Sequence, residues 1–395
     1  MAHGGRAPAD LIGRARGSAC PRCHSRASRR VCVCSLAVLV WSALSIACAA
    51  PPPDLVLLNG RVFTADPDRP WAEALAIRGG RITGVGSTAE VSALAGASTV
   101  RRDLAGRTVL PGLNDAHVTD PALPAQDLRG FFQAALASGV TSMQWFVGER
   151  TVREAGHALV QASTEVRVRM LRMPRTGPDG TTIDSRPHLP PQPGARVDIR
   201  GMGFGLGEAD GDRLKQAVGW AYGTEDLLAI EPGSDRVLED YVTAVERTGV
   251  PEIWAMKRPR VERAGDGAAR LAPRLRAQGM VVVQRPDGAL PLRSLAHEGV
   301  HLALGSGRGT QPFELLVWAT TRGAEALTME EAIVAFTRGA AYAELMDRDK
   351  GHLTVGALAD VMVPSVDPFT APPDQLARAR STLTIIGGHI VHDVP

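Results

Sequence analysis

Short runs of apolar and β-branched residues alternate with amphipathic stretches through the middle of the chain. The stretches at 235–247 and 328–343 have the apolar spacing of helices, and the second begins with Thr328 and Glu331 at the spacing of a capping box. Further apolar runs predict strands at residues 141–146, 166–173, 196–202, 226–232, 279–284 and 300–306. Strands and helices in alternation over about 240 residues predict an α/β fold, with a parallel sheet closed into a (β/α)8 TIM-type barrel.

The two ends of the chain carry a different pattern, in which short apolar strands are separated by glycine-rich turns. Residues 55–58, 74–77 and 81–85 follow it near the start, and residues 383–391 repeat it near the end. We therefore expect both termini to form one small β-sandwich-like domain. The side chains expected to be buried against one another in it are Leu57, Ile77, Ile385 and Ile390. The predicted boundaries are 1–48 for a leader, 54–109 and 351–395 for the two parts of the β-domain, and 110–350 for the barrel.

The first 48 residues have the order of a secretory signal. An apolar stretch at 31–47 follows four closely spaced arginines, and it is short for a membrane span. It runs into Leu-Ser-Ile-Ala-Cys, ending at Cys48, which resembles a bacterial lipoprotein cleavage site. This predicts an exported protein of the bacterial cell envelope, anchored to the membrane by a lipid on Cys48. An ordinary signal cut near Ala50, which would leave a periplasmic or secreted protein, is the alternative.

Composition narrows the chemistry of the exported part. All five cysteines lie within residues 1–48, so the remainder forms no internal disulfide and offers no thiolate to a metal. Seven of the 44 Lys and Arg residues and one of the 42 Asp and Glu residues also lie there, which leaves 37 basic and 41 acidic groups and a net charge of −4. This balance does not favour a nucleic-acid partner. The expected partners are a small molecule and, through the lipid anchor, the membrane.

Several motifs resemble those of the amidohydrolase superfamily, in the same order. They lie at 54–63 (DLVLLNGRVF), 109–117 (VLPGLNDAH), 300–306 (VHLALGS), 351–360 (GHLTVGALAD) and 386–391 (IGGHIV). The resemblance covers residues 54–395 and is to the amidohydrolase 3 branch, which includes formamide deformylase-like enzymes. It implies a hydrolase acting on non-peptide carbon–nitrogen bonds, with one or two divalent metals at the barrel mouth that activate a bound water.

The first barrel strand of this family carries an H-x-H pair of metal ligands, because alternate residues of a strand face the same side. Here the matching residues are His117, Val118 and Thr119, so one imidazole is kept and a poor zinc ligand replaces the other. Asp115 lies two residues before His117. The resemblance therefore implies a pocket in which half of the first ligand pair remains.

The other ligand positions of the family are matched by different residue types. The resemblance places Asp198 at the bridging position of strand four, and Glu231 and Arg263 at the histidines of strands five and six. Gly307 stands where strand eight has the carboxylate that takes a proton from the metal-bound water. A guanidinium is permanently charged and only donates hydrogen bonds, so Arg263 would repel a metal and would instead bind an anion or pair with Glu231.

Three functions remain open from these residues. The first is a catalytically impaired member of the family, a pseudoenzyme without a cofactor that binds a small molecule, its old pocket plugged by a salt link. The alternative is an active metal-dependent hydrolase with an altered ligand set, in which His117, Asp198 and Glu231 hold zinc or another divalent metal and Asp115 or Asp120 is the base. The third is a mainly structural envelope protein whose barrel mouth is closed by side chains.

Overall fold

The computed structural model describes residues 51–148, 152–173, 196–286 and 291–394, and its strands form a barrel and two smaller sheets. Before the barrel lie β1 (Leu55–Leu58), β2 (Arg61–Phe63), β3 (Trp71–Ala72), β4 (Ala74–Arg78), β5 (Arg81–Gly86), β6 (Val100–Asp103) and β7 (Thr108–Pro111). The barrel strands are β8 (Leu113–Thr119), β9 (Val140–Val147), β10 (Arg167–Arg172), β11 (Val197–Leu206), β12 (Leu227–Pro232), β13 (Arg260–Glu262), β14 (Val281–Gln284) and β15 (His301–Leu304). After the barrel come β16 (Val361–Pro364), β17 (Ser381–Ile386) and β18 (His389–Asp393).

Helices follow most of the barrel strands. The α-helices of the described residues are α1 (Thr88–Leu94), α2 (Ala125–Ala137), α3 (Val152–Ala162), α4 (Gly211–Gly223), α5 (Asp235–Thr248), α6 (Pro251–Lys257), α7 (Ala268–Ala277), α8 (Leu292–His297), α9 (Pro312–Thr320), α10 (Met329–Val334), α11 (Ala340–Ala343) and α12 (Pro373–Ala377). The predicted capping box of α10 is confirmed, because Thr328 Oγ1 accepts from the backbone N–H of Glu331 at 3.2 Å and Glu331 accepts from that of Thr328 at 2.8 Å. A π-helical turn at Ala335–Gly339, which the sequence pattern did not predict, joins α10 to α11.

The eight barrel strands lie side by side in chain order, from β8 to β15, and all neighbours are parallel. The barrel closes beyond the end of β15, where Gly307 bridges to β8. The backbone N–H of Thr119 donates to the Gly307 carbonyl at 3.2 Å, and that of Gly307 donates to the His117 carbonyl at 2.8 Å. The predicted (β/α)8 barrel is confirmed. β12, β14 and β15 are mostly apolar because helices cover one face and the barrel interior lies on the other.

Strands from both ends of the chain share one sheet, as predicted. Its order is β18-β17-β16-β7-β2-β3, and a second sheet of order β5-β4-β1-β6 packs beside it. Leu57, Ile77 and Ile385 are buried in one apolar cluster. Ile390 was expected there, and this prediction is wrong because its side chain is 44% exposed. A register shift between Thr384 and Ile385 interrupts the pairing of β17 with β18, which is the outermost strand of the sheet.

No helix among the described residues is long and apolar enough to cross a membrane. The predicted leader and the predicted lipidation site, Cys48, lie outside the residues that the structure describes.

Candidate functional site

His117 lies at the carboxyl end of β8, in the mouth of the barrel, where neighbouring side chains enclose its ring. Its side chain is buried, and its ring stacks on that of Phe146 with 3.9 Å between ring centroids and 17° between planes. Its Nδ1 lies 2.8 Å from Oε2 of Glu262. The ring therefore has one fixed plane and one fixed direction.

Glu262 is held by a second buried charge on the same strand. Residues two apart on β13 face the same side, so Arg260 and Glu262 both point into the barrel. Arg260 Nε donates to Glu262 Oε1 at 2.7 Å, its Nη2 donates to the Ala116 carbonyl at 2.8 Å, and its Nη1 donates to Gln144. Burial by itself would raise the pKa of Glu262, but the Arg260 charge and the hydrogen bond from His117 hold that pKa below its usual value. The carboxylate is therefore ionised in the barrel interior.

Arg285, directly after β14, contacts the other ring nitrogen of His117. Its Nη1 lies 2.8 Å from Nε2 of His117. A guanidinium only donates, so Nε2 is the accepting nitrogen and Nδ1 carries the hydrogen that is donated to Glu262. Burial, together with the Arg285 and Arg260 charges, lowers the pKa of His117 below its usual value even though Glu262 acts in the opposite direction. The imidazole is therefore neutral, and its one lone pair is directed at Arg285.

Glu231 links two arginines at the rim of the barrel. Its Oε1 accepts from Arg285 Nη2 at 3.2 Å and from Arg263 Nη1 at 3.0 Å. Of the two roles left open for Arg263, binding an anion or pairing with Glu231, the pairing is present. Arg263 has a left-handed backbone conformation, with φ of 55°, and its backbone N–H donates to the Val283 carbonyl at 2.8 Å. The side chain of Arg285 is 12% exposed whereas those of Glu231 and Arg263 are 32% and 41% exposed, so the chain of charges runs from the interior to solvent.

Asp115 lies on the same strand as His117 but has its own partners. Its Oδ1 accepts from the backbone N–H of Ser306 at 2.9 Å and from that of His117 at 3.2 Å, and its Oδ2 accepts from the Ser306 hydroxyl. Burial raises the pKa of Asp115 to about 6, and these hydrogen bonds oppose the rise. Asp115 therefore joins β8 to the segment that closes the barrel.

The structure brings some of the predicted site residues together and separates others. His117, Glu231 and Arg263 belong to one contact chain through Arg285, and Thr119 and Gly307 meet at the barrel closure. Asp198 lies near the start of β11, whereas Gly205, seven residues on, pairs with Glu231. That is roughly 20 Å of strand. The ligand set His117, Asp198 and Glu231 is therefore not assembled.

Asp120, the other expected base, is engaged in a turn beyond β8. Its Oδ1 accepts from the backbone N–H of Ala122 at 3.0 Å, and its own backbone N–H donates to the Phe146 carbonyl at 3.1 Å. Ala122 has φ of 51°, a left-handed conformation that this turn requires. Asp120 thus has a local structural contact of its own.

The residues present do not fit a divalent metal. Within the described ranges, no group of three or more His, Cys, Asp or Glu side chains is placed to hold a metal ion. The single lone pair of His117 accepts from Arg285, and its other nitrogen donates to Glu262. The donor set expected of the family is therefore replaced by a hydrogen-bonded ion chain.

Sequence reasoning missed Arg285, Glu262 and Arg260. For Glu262 a signal was available, because period-two alternation through residues 260–262 turns it inward while its neighbour Arg263 turns away. Arg285 follows the apolar run 281–284 without any motif, and nothing in the sequence indicated which strand end it would face.

Two open cavities border the ion chain. One, of about 500 Å³, is lined by Thr119, Arg285, Pro286, Ser306, Gly307, Arg308, Gln311, Glu314 and Leu315. The other, of about 560 Å³, is lined by Glu231, Arg263, Asp235, Asp266 and residues of the neighbouring turns. The first is lined by two arginines and one glutamate, and the second by one arginine and three carboxylates. The net charge of the lining is therefore positive in the first cavity and negative in the second.

Comparisons with known proteins give a family match and short sequence matches. The family model described as Amidohydrolase family matches residues 204–392. Protein LONG AFTER FAR-RED 3 of Arabidopsis thaliana is 43% identical over 85 residues, which are 20% of this chain and 14% of that protein. N-substituted formamide deformylase of Arthrobacter pascens is 41% identical over 64 residues, which are 16% of this chain and 12% of that protein. The chain therefore matches only about an eighth of the length of these relatives.

Solved structures match over most of the chain. A triazine hydrolase variant superposes with a TM-score of 0.68 and 18% identity, covering 86% of this chain and 94% of that one. An adenosine deaminase from Xanthomonas campestris with bound zinc superposes with a TM-score of 0.65 and 17% identity, covering 87% and 93%. At these identities the matches show a shared fold.

Proposed function

We propose that this chain is an amidohydrolase-family barrel in which metal-dependent hydrolysis is lost or greatly weakened and which binds a small molecule at its mouth. The family match over residues 204–392 supports the family. Hydrolysis of non-peptide carbon–nitrogen bonds, the activity of the family, would then be the activity of the ancestral site. A lipid-anchored protein of this kind would act as a binding protein in the cell envelope.

The contact between Arg285 and Nε2 of His117 carries this proposal. A metal ligand must present a lone pair, and the neutral imidazole has one, which accepts from a guanidinium at 2.8 Å. A metal would have to displace Arg285 and leave a cation next to a cation. A metal ion on His117 would therefore compete with Arg285 for the same lone pair.

The charges around this contact support the same proposal. Arg260, Arg263 and Arg285 stand against Glu231 and Glu262, which gives the ion chain a net charge of +1 when all are ionised. Metal sites in proteins are surrounded by neutral and anionic ligands, because like charges in a poorly hydrated site repel strongly. A divalent cation at this point would gain no net attraction from its neighbours.

The family match favours the alternative, an active hydrolase. The similar proteins include a triazine hydrolase, an adenosine deaminase with bound zinc and an N-substituted formamide deformylase. If Arg285 moved aside on metal binding, His117 would be available as a ligand. Metal content and turnover, measured on the same preparation, separate the two functions.

The test is to incubate purified protein with zinc, manganese or iron, remove unbound metal, and measure bound metal and hydrolysis of an N-substituted formamide. We expect far less than one metal per chain and no turnover that a chelator removes. His117→Ala is the matched control, because it deletes the imidazole of the family motif. Near-stoichiometric metal and chelator-sensitive turnover, both lost in His117→Ala, would establish the hydrolase.

We also propose that the chain is exported and lipid-anchored at Cys48, from the arginines, apolar run and small residues that precede it. Mass spectrometry of the mature N-terminus should find a lipid-modified cysteine at position 48. A Cys48→Ser variant, which cannot be lipidated, should leave the membrane fraction. An unmodified N-terminus at Ala49 or later in the wild-type protein would contradict the anchor.

A further inference from the structure

We infer that the cavity beside Arg285 binds the carboxylate of a small monoanionic molecule, and that the Arg285 guanidinium receives it. The inference rests on the proposed function, since a metal on His117 would displace Arg285. It adds what that proposal leaves open, the chemical class of the ligand and the side chain that recognises it.

The lining of the cavity is suited to a monoanion with a carbon skeleton. Arg285 and Arg308 against Glu314 leave a net charge of +1, and Glu314 also accepts from Gln311 Nε2 at 3.2 Å. Pro286 and Leu315 add apolar surface. A volume of about 500 Å³ lies within the usual range of small-molecule sites. A dianion such as phosphate would exceed the positive charge and would face Glu314.

The Arg285 guanidinium is preorganised to bind a carboxylate. Its side chain is 88% buried, and its two Nη atoms are directed to His117 and Glu231, which fixes the plane of the guanidinium. A fixed planar fork matches the two oxygens of a carboxylate, and little side-chain entropy remains to be lost on binding. Arg308, by contrast, is exposed and contributes mainly charge.

Glu231 already makes the kind of contact that the ligand would make. It is a carboxylate on the rim, bound through Oε1 to both Arg285 and Arg263. Its negative charge therefore weakens the attraction of Arg285 for any second carboxylate. Removing that charge should strengthen ligand binding, which is the opposite of what loss of a merely structural salt bridge would do.

The neighbouring cavity indicates the side from which the anion enters. Glu231, Asp235 and Asp266 line it against Arg263 alone, which gives it a net charge of −2. An anion is repelled there and attracted on the Arg285 side. The difference in sign between the two cavities thus selects one approach to the guanidinium.

The experiment is calorimetric titration of the full chain with benzoate in a chelator-containing buffer. Benzamide, of the same shape without the charge, and inorganic phosphate are titrated in parallel. We expect benzoate to bind and both comparison compounds to bind at least about tenfold more weakly. Benzamide lacks the charge that strengthens the hydrogen bonds from Arg285, and the phosphate dianion exceeds the positive charge of the cavity and faces Glu314.

Three variants should change the benzoate affinity, two by weakening it to different extents and one by strengthening it. Arg285→Gln removes the charge and should weaken binding about tenfold or more. Arg285→Lys keeps the charge without the fork and should weaken it less. Glu231→Gln should strengthen binding roughly threefold. Arg270→Gln, which alters the exposed ion pair of Arg270 on α7 with Glu239 on α5, is the control and should leave affinity unchanged.

Equal affinity for benzamide, or unchanged benzoate binding in Arg285→Gln, would overturn the inference. So would the absence of benzoate binding in both the wild-type and Glu231→Gln proteins. Glu231→Gln gives a result even if Arg285→Gln fails to fold, because the two variants affect different residues. If benzoate does not bind and the protein also holds no metal, the inference is wrong but the proposed function stands. Chelator-sensitive turnover would refute the proposed function, whatever the result with benzoate.

Discussion

Arg285 donates to Nε2 of His117 across 2.8 Å, and through this contact the end of β14 closes over the end of β8. The arrangement is cooperative. Glu262 holds the hydrogen on Nδ1, which leaves the lone pair on Nε2, and a guanidinium is a donor that cannot lose its charge. Each group therefore sets the state of the next, from the fully buried Arg260 out to Glu231 at the rim.

Arg285 should control whether metal binding can be rebuilt. We compare Thr119→His, Glu231→His, Arg263→His and Gly307→Asp combined in one chain, with and without an added Arg285→Ala change. Only the five-fold variant should take up zinc in a competition titration with a chromophoric chelator, because Arg285 otherwise holds the lone pair of His117. Equal zinc affinity with Arg285 intact would show that the arginine moves aside at little cost.

Asp115 should make stability fall as pH rises. Its pKa in the folded chain is about 6, above the ordinary value of 3.8, so between these values the folded state binds more protons than the unfolded state. Its contribution is fully present below about pH 4 and is lost as pH rises through 6, by about 3 kcal/mol. Asp115→Asn cannot titrate.

Urea unfolding of wild type and Asp115→Asn at several pH values isolates this effect. The difference in unfolding free energy, wild type minus variant, should decrease between about pH 4 and 7, while the other carboxyl groups cancel in the comparison. The lost acceptor in Asp115→Asn adds a constant offset. A difference that does not change with pH would show that Asp115 has an ordinary pKa.

Glu262→Gln should destabilise the barrel strongly. The change leaves the Arg260 guanidinium, which is fully buried, without its carboxylate. It also turns one of the two oxygens that accept from Arg260 and His117 into an amide NH2 group, which cannot accept from either of them. Removing one partner of a buried pair costs about 3–5 kcal/mol. Glu239→Gln is the matched control, because its pair with Arg270 is exposed and should contribute less than about 1 kcal/mol. Similar unfolding midpoints in urea for the two variants would contradict the buried network.

Gly339→Ala should test the π-helical turn. A Cβ at Gly339 would lie 2.1 Å from the carbonyl oxygen of Leu302 on β15, so helix and strand would have to separate. Overpacking of this kind costs about 1–3 kcal/mol. Gly219→Ala, in the exposed interior of α4 with open space around it, should instead stabilise by about 0.4–1 kcal/mol. Thermal unfolding should shift in opposite directions, and a neutral Gly339→Ala would mean that the turn relaxes freely.

The apolar runs predicted most barrel strands but did not predict β13, and only the family resemblance placed a strand near Arg263. That strand is three residues long, and its inward-facing side chains are Arg260 and Glu262, so the apolar pattern fails where the charges are paired inside the barrel. Ile390 was misjudged for a related reason, because alternation does not show that β18 ends the sheet. The apolar pattern of a short segment indicates which of its residues are suited to burial, but it does not indicate which residues they will contact.

The sequence by itself determined the barrel, the sheet shared by both termini and the cap of α10, and it offered the ion pair between Arg263 and Glu231 as one of two possibilities. These depend on periodicity, on local hydrogen bonding or on a match of motif positions, all of which are properties of short segments. Only the tertiary structure decided that Arg285 covers His117, that Glu262 orients it and that Asp198 lies far along its strand. Those relationships depend on which strand ends meet in space, and residues 117, 231, 262 and 285 are brought together only when the barrel closes.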